Sequence, residues 1–281
     1  MRAAHSASVL RPAGVVAAAN RDILLNALAV MIVVAVPTII AAIIVAWWFR
    51  AGNAKATRNE GFVYSGRVEL VVWSIPLLVI LFLGGIIWIG SHRLDPSRPV
   101  QASPGIRPLT VEVVSLDWRW LFIYPEQGIA TVNRLVVPVG RPLRFRLTSA
   151  SVMNAFFVPR LGSMIYAMNG MATELNLLAA KPGRYAGMSA HYSGEGFSDM
   201  RFITHAVPQR AFDLWAEQVA RSATPSLGAG NYAILRRQSR DRGEYVFRSA
   251  QPGLFDAIVA QRLAPAGGPP AVRSATDAEE K

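Results

Sequence analysis

The chain has 281 residues, a net charge of +11 and no cysteine. The missing cysteine excludes disulfides, thiolate metal sites, thiol nucleophiles and lipid attachment through sulfur. A basic balance suits nucleic acid or an anionic membrane surface, and the positive mean hydropathy of +0.29 favours the membrane.

Two apolar runs dominate the N-terminal third. From Ile23 to Phe49 no charge interrupts the sequence, and Leu70–Gly90 is a second such run. A hydrocarbon core about 30 Å thick takes roughly 20 apolar helical residues, so both are long enough to span. Pro37 and Pro76 are tolerable in lipid-buried helices, and Trp47, Trp48 and Trp88 near the run ends suit interfacial anchoring. The first run is too long for a signal-peptide core and "WWFRAGN" offers no small-residue cleavage site, so the expectation is a retained span. The intervening loop carries Arg50, Lys55, Arg58 and Arg67 against Glu60, which predicts that it is cytoplasmic. The expected division is a periplasmic tail over 1–21, spans over 22–50 and 68–91, and a cytoplasmic loop over 51–67.

A proline-rich linker is expected over 92–108. After it the apolar period becomes two. Leu116, Trp118, Trp120, Phe122 and Tyr124 alternate with Asp117, Arg119, Leu121 and Ile123; Leu143, Phe145 and Leu147 alternate with Arg144, Arg146 and Thr148. Both stretches predict half-buried strands, with the arginines on a wet face. At least six short strands are expected over 109–207, as in an antiparallel sandwich or barrel. Over 208–263 the pattern turns helical: "QRAFDLWAEQVARS" puts Phe212, Trp215 and Val219 on one face, and "NYAILRRQ" and "GLFDAIVAQRL" are shorter candidates. Residues 264–281, poor in large apolar side chains, are expected to be a disordered tail.

Catalytic signals are absent from the sequence. No phosphate loop or nucleophile elbow occurs. His5 and His92 fall in tail and linker; His191 and His205 lie on different predicted segments without a third ligand, which favours solvent-facing imidazoles. Glu174, Glu195 and Asp199 read as solvated surface charge. The aromatic run "DWRWLFIY" is read as packing, with one Trp left open as a docking residue. Arg144 and Arg146 lack the aromatic interleaving of a nucleic-acid surface, so no nucleic-acid partner is expected.

One loop stands apart. In "GMSAHYSGEGFSDM", Ser189, Ser193, Phe197 and Met200 follow one another at intervals of four, four and three. With "SLDWRWLFIYPEQGIATVNRL" and "TSASVMNAFFVPRLGSMIYAMNGM", it resembles subunit II of the haem–copper terminal oxidases, in the cytochrome bo-type ubiquinol oxidase branch, over roughly residues 9–263. The resemblance implies a two-helix transmembrane hairpin, an all-β cupredoxin-like sandwich and a short helical C-terminal extension. In the cytochrome c oxidase branch this domain holds dinuclear copper on two cysteines, two histidines, a methionine and a backbone carbonyl. Carried onto this chain, those positions are Asn154, Ser189, Ser193 and Phe197, with His191 at the carbonyl position and Met200 alone retained. Copper needs soft donors, so the resemblance implies a copper-free site, with haems and copper in a partner subunit I. It further implies a non-catalytic, structural role in a proton-pumping quinol oxidase of the bacterial inner membrane. The expected partners are subunit I, further small membrane subunits, membrane lipids and ubiquinol as substrate of the complex. Phe197 is expected in the core. Relatives in this branch often carry a signal sequence ending at a lipid-bearing cysteine; here either that anchor is absent or an upstream segment lies outside this numbering. A free-standing membrane-anchored binding or assembly protein is the alternative.

Overall fold

The computed structural model describes residues 9–57, 61, 63–100 and 105–267. Arg58, Glu60 and most of the expected disordered tail lie outside the described residues. The chain divides into two compact units, one formed by Ala19–Leu94, the other by the residues up to Ala18 together with those from Asp95 onward.

The first of these units is made of two helices, α1 (Val15–Trp48) and α2 (Gly66–Arg93), each long and apolar enough to cross a membrane. They contain Pro37 and Pro76. Gly90 of α2 lies against the tip of Ile23 of α1: a Cβ there would fall 2.6 Å from Ile23 Cδ1, so the isoleucine end would have to move. Helix α1 begins seven residues before the expected start of the span at 22.

That early start belongs to the β unit. Ala13 and Gly14 donate their backbone N–H groups to the Arg160 carbonyl at 2.8 and 3.0 Å, and the Ala180 N–H returns a bond to Ala13 at 2.8 Å. Gly14 forms a bridge with Ala179, and a Cβ on it would meet the Leu161 carbonyl oxygen at 2.3 Å. The stretch expected as a free tail is therefore partly a fastened segment of the sandwich, and only glycine fits its closest point.

The sandwich has two sheets. The first contains β1 (Leu109–Ser115), β2 (Trp120–Tyr124), β3 (Ile129–Val132), β5 (Pro142–Ser149), β8 (Thr173–Leu178) and β12 (Tyr245–Phe247), in the order β12-β3-β2-β1-β5-β8. The second contains β4 (Arg134–Pro138), β6 (Asn154–Phe157), β7 (Ile165–Ala167), β9 (Gly183–Ser189) and β10 (Arg201–Val207), in the order β4-β10-β9-β6-β7. Trp120, Phe122, Phe145, Phe156 and Phe202 fill the space between them, with Phe156 stacked on Phe202 at 5.2 Å. Each such buried ring contributes about 1.5–3 kcal/mol. Tyr124 sits at the margin of this core, its hydroxyl donating to the Val136 carbonyl at 3.0 Å and accepting from the Val136 N–H at 2.8 Å.

The alternating run 116–124 is not one strand. Trp118 has φ +69° and turns the chain, so β1 and β2 pair antiparallel. Nor is β2 half-buried: all five of its residues are buried. The C-terminal segment explains this. Leu121, Ile123, Ala130 and Val132, on the outer face of the six-stranded sheet, pack with Tyr232 of α4 (Ala229–Leu235), Phe247 of β12, and Phe255 and Ile258 of α5 (Leu254–Val259). On the inner side Tyr124 meets Phe212 and Trp215 of α3 (Gln209–Ala220). The region expected as purely helical thus also supplies strands: β12, and the pair β11 (Ser226–Leu227) and β13 (Ser249–Ala250). The expected linker is partly docked, since the Asn176 N–H donates to the Pro96 carbonyl at 2.8 Å.

Arg146 leaves the wet face expected of it to bridge Glu112 at 2.8 Å and Asp256 at 2.9 Å, its guanidinium over the Phe255 ring. Arg144 stays exposed and pairs with Glu174.

Candidate functional site

The resembling loop positions converge at one end of the five-stranded sheet. Asn154 opens β6, Ser189 closes β9, and Met200 directly precedes β10. Pairing of β9 with both β6 and β10 brings them together. The Ser189 hydroxyl donates to Asn154 Oδ1 at 3.1 Å and lies 3.2 Å from the His191 carbonyl; the Ser189 N–H donates to the Met200 carbonyl at 3.1 Å. Asn154, Ser189 and Met200 are all buried.

Residues 190–199 arch over this point. His191 presents its carbonyl to the cluster, while its half-buried ring meets Tyr166 edge-on at 5.8 Å. The Ser193 hydroxyl is buried without a hydrogen-bond partner, and its carbonyl accepts from Trp118 Nε1 at 3.0 Å. Phe197 begins a short 3-10 turn, Phe197–Asp199. It is half-buried against Tyr192, ring centroids 5.8 Å apart, and not in the core as expected: the turn ends the chain's approach to the sheet and leaves the phenyl at the rim.

Trp118 is the residue that sequence reading placed on the wrong element. Its positive φ folds the indole across the loop, where a Cβ on Gly196 would fall 2.1 Å from the ring. Both tryptophans of the aromatic run are buried, so neither is the docking residue left open. Above the loop passes the segment after α4. Arg119, buried beneath it, donates to the carbonyls of Leu235 and Arg237 at 2.6 and 3.1 Å. Arg240 pairs with Glu195 at 2.6 Å and Arg242 with Asp199. The Arg242 hydrogen bond holds the Asp199 carboxyl below the usual carboxylate range. Glu174, Glu195 and Asp199 are thus surface carboxylates matched by arginines.

His205, on β10, is not solvent-facing as expected. It is half-buried, and its Nε2 is buried without a partner. Burial, then the Arg134 and Arg184 charges, push its pKa down.

The donor set at the loop is an amide, two hydroxyls, a phenyl and one thioether. Hydroxyls do not ionise near neutral pH to bridge copper, and a phenyl has no lone pair, so these residues do not fit the dinuclear centre. Among the described residues no three His, Asp or Glu side chains converge as a metal site.

Residues 125–207 match the family described as Cytochrome C oxidase subunit II, periplasmic domain. Ubiquinol oxidase subunit 2 of Acetobacter aceti is 47% identical over 253 residues, covering 90% of this chain and 82% of that protein. The chain belongs to the ubiquinol oxidase subunit II family. Cytochrome bo(3) ubiquinol oxidase subunit 2 of Pseudomonas aeruginosa is 43% identical, covering 90% of this chain and 75% of its own length. The solved periplasmic domain of subunit II of cytochrome oxidase of Bradyrhizobium japonicum is 26% identical with a TM-score of 0.40, covering 43% of this chain and 96% of that domain. As a subunit II, the chain combines two apolar helices, a β-sandwich of cupredoxin-like class and short C-terminal helices.

Proposed function

We propose that this chain is the structural, non-catalytic subunit II of a proton-pumping quinol oxidase, the complex that oxidises ubiquinol and reduces dioxygen to water. The observation that carries the reading is 47% identity to a ubiquinol oxidase subunit 2 across 90% of the chain. In this reading the helix hairpin clamps subunit I, with further small membrane subunits and lipid around it, and the redox centres lie in subunit I. The chain lies in the bacterial inner membrane with its β unit on the periplasmic side.

Asn154, Ser189, Ser193 and Phe197 stand, in this reading, at vacated copper-ligand positions, with Met200 kept and His191 contributing its carbonyl. The buried Ser189–Asn154 hydrogen bond supports it, because it joins β9 to β6 where a metal would otherwise join them. Loss of the metal suits the substrate: a lipid-soluble quinol delivers electrons within the membrane and needs no relay on the water side.

Purification of the tagged full chain in mild detergent tests the proposal. A quinol oxidase subunit brings with it a large multi-span partner and a haem spectrum. A chain recovered alone and colourless is the free-standing binding or assembly protein instead.

A further inference from the structure

One corner of the sandwich gathers basic residues around a single tyrosine. The Arg160 guanidinium carbon lies 4.9 Å from the centroid of the Tyr185 ring, and Arg160 Nε donates to the Arg11 carbonyl at 3.0 Å. The Tyr185 hydroxyl donates in turn to the Lys181 carbonyl at 2.7 Å. Backbone bonds from Ala13 to Arg160 and from Ala180 to Ala13, both 2.8 Å, lock the three segments together. Arg11 and Arg160 are thus neighbours although 149 positions separate them.

No acidic residue balances them. Residues 9–18, 158–162 and 178–185 contain neither Asp nor Glu. Arg11, Arg160 and Lys181 have no ion-pair partner among the described residues. Asp22, the first acidic residue of the chain, is taken by Arg21, and Glu126 by Arg141. Arg184, exposed on β9 beside Tyr185, adds a fourth positive charge. Elsewhere in this unit Arg144, Arg146, Arg240 and Arg242 all face carboxylates. Unmatched like charges gathered at one corner repel, and an anion among them removes that cost.

Arg160 is shaped for that anion. The Tyr185 ring and the Arg11 carbonyl fix its guanidinium, while its two terminal nitrogens meet no acceptor among the described residues. Such a fork matches two oxygens of a phosphate. Position favours a lipid as the source. The Ala17 N–H donates to the Leu161 carbonyl at 3.2 Å, and the uncharged run of the same helix begins six positions later, at Ile23. Six helical residues make under two turns, so headgroup phosphates are brought to the corner where this run enters a bilayer. We propose that Arg11, Arg160 and Lys181 form a binding site for a phosphate group, that of an anionic phospholipid headgroup or free inorganic phosphate. The inference goes beyond the oxidase reading and needs no partner subunit.

The test uses the full chain, purified in mild detergent, stripped of lipid and titrated with phosphatidylglycerol, phosphatidylcholine or inorganic phosphate. Native mass spectrometry counts bound lipid, and unfolding midpoints read the stabilisation that inorganic phosphate brings. A saturable phosphatidylglycerol site is expected, weakened about tenfold or more by Arg160→Gln, because a charge-assisted pair is lost. Lys181→Gln, at an exposed side chain, is expected to weaken it about threefold. Arg201→Gln, exposed at the far end of the β9–β10 pair, is expected to leave it unchanged. Circular dichroism checks that the variants keep their sheet; if Arg160→Gln does not, Lys181→Gln decides. Lipid binding that falls in these variants assigns the site to a headgroup, and a shift by inorganic phosphate alone that falls in them assigns it to the free anion. Binding of neither, or binding equally strong in the parent, Arg160→Gln and Lys181→Gln proteins, overturns the inference.

Discussion

The Ser189 hydroxyl donates to the Asn154 side-chain carbonyl at 3.1 Å in a buried environment, joining the last residue of β9 to the first of β6. Removing one partner strands the other. Ser189→Ala is expected to cost about 1–3 kcal/mol. Asn154→Leu with Ser189→Ala together should cost less than the sum of the two single changes. Denaturant midpoints of the detergent-purified chain, read as a double-mutant cycle, measure the coupling; strict additivity would show that the bond contributes nothing.

The same pair marks where copper belongs if the site is a vacated one. The native chain is expected to bind no stoichiometric copper. Asn154→His, Ser189→Cys, Ser193→Cys and Phe197→His together are expected to create a dinuclear, thiolate-coloured copper centre. His191 needs no change, since its carbonyl faces the cluster and its ring stands against Tyr166. The full chain is the right material: residues 104–281 alone lack the Gly14 segment that closes the sandwich. Metal analysis and visible absorption decide; a folded, colourless quadruple variant in excess copper refutes the assignment.

Gly14 admits no side chain, because a Cβ would overlap the Leu161 carbonyl. Gly14→Val is expected to release residues 9–14 from the sandwich and destabilise it by about 1–3 kcal/mol. Limited proteolysis should then cut at Arg11, a site resistant in the parent. Equal resistance in the two proteins would mean the segment is not held as described.

His205 gives the β unit a pH dependence of known sign. Its folded-state pKa lies below the ordinary 6.5, first through burial, then through Arg134 on β4 and Arg184 on β9, with Glu244 opposing. The unfolded chain therefore binds the proton more readily. Stability is full above pH 6.5 and falls as pH drops from there towards the folded pKa. His205→Gln should flatten that part of the curve, read from unfolding midpoints between pH 7.5 and about 5. An unchanged slope would assign it to other groups.

Orientation can be tested separately. The basic loop predicts that residues 51–67 are cytoplasmic and the β unit periplasmic. Protease added to intact spheroplasts is expected to degrade the β unit and spare the loop; the reverse pattern would invert the topology.

Properties that depend only on neighbours along the chain were legible in the sequence. An uncharged run longer than a bilayer core spans whatever it packs against, so Ile23–Phe49 and Leu70–Gly90 announced two helices. Side-chain chemistry was equally plain: without cysteine, and with Asn154 and Phe197 where the resemblance places imidazoles, no arrangement of the loop restores the missing donors. Tertiary structure decided what depends on distant segments. Strand β2 alternates like a half-buried strand and is buried throughout, because residues more than a hundred positions later cover its second face. Trp118 reads as one more strand residue until its positive φ turns it over the loop at Gly196. The helix start at Val15 and the glycine before it follow from contacts with Arg160 and Leu161, whose position no local pattern encodes. Local composition sets which elements can form and what chemistry they carry; which face is covered, and by what, is settled by packing between residues far apart in sequence.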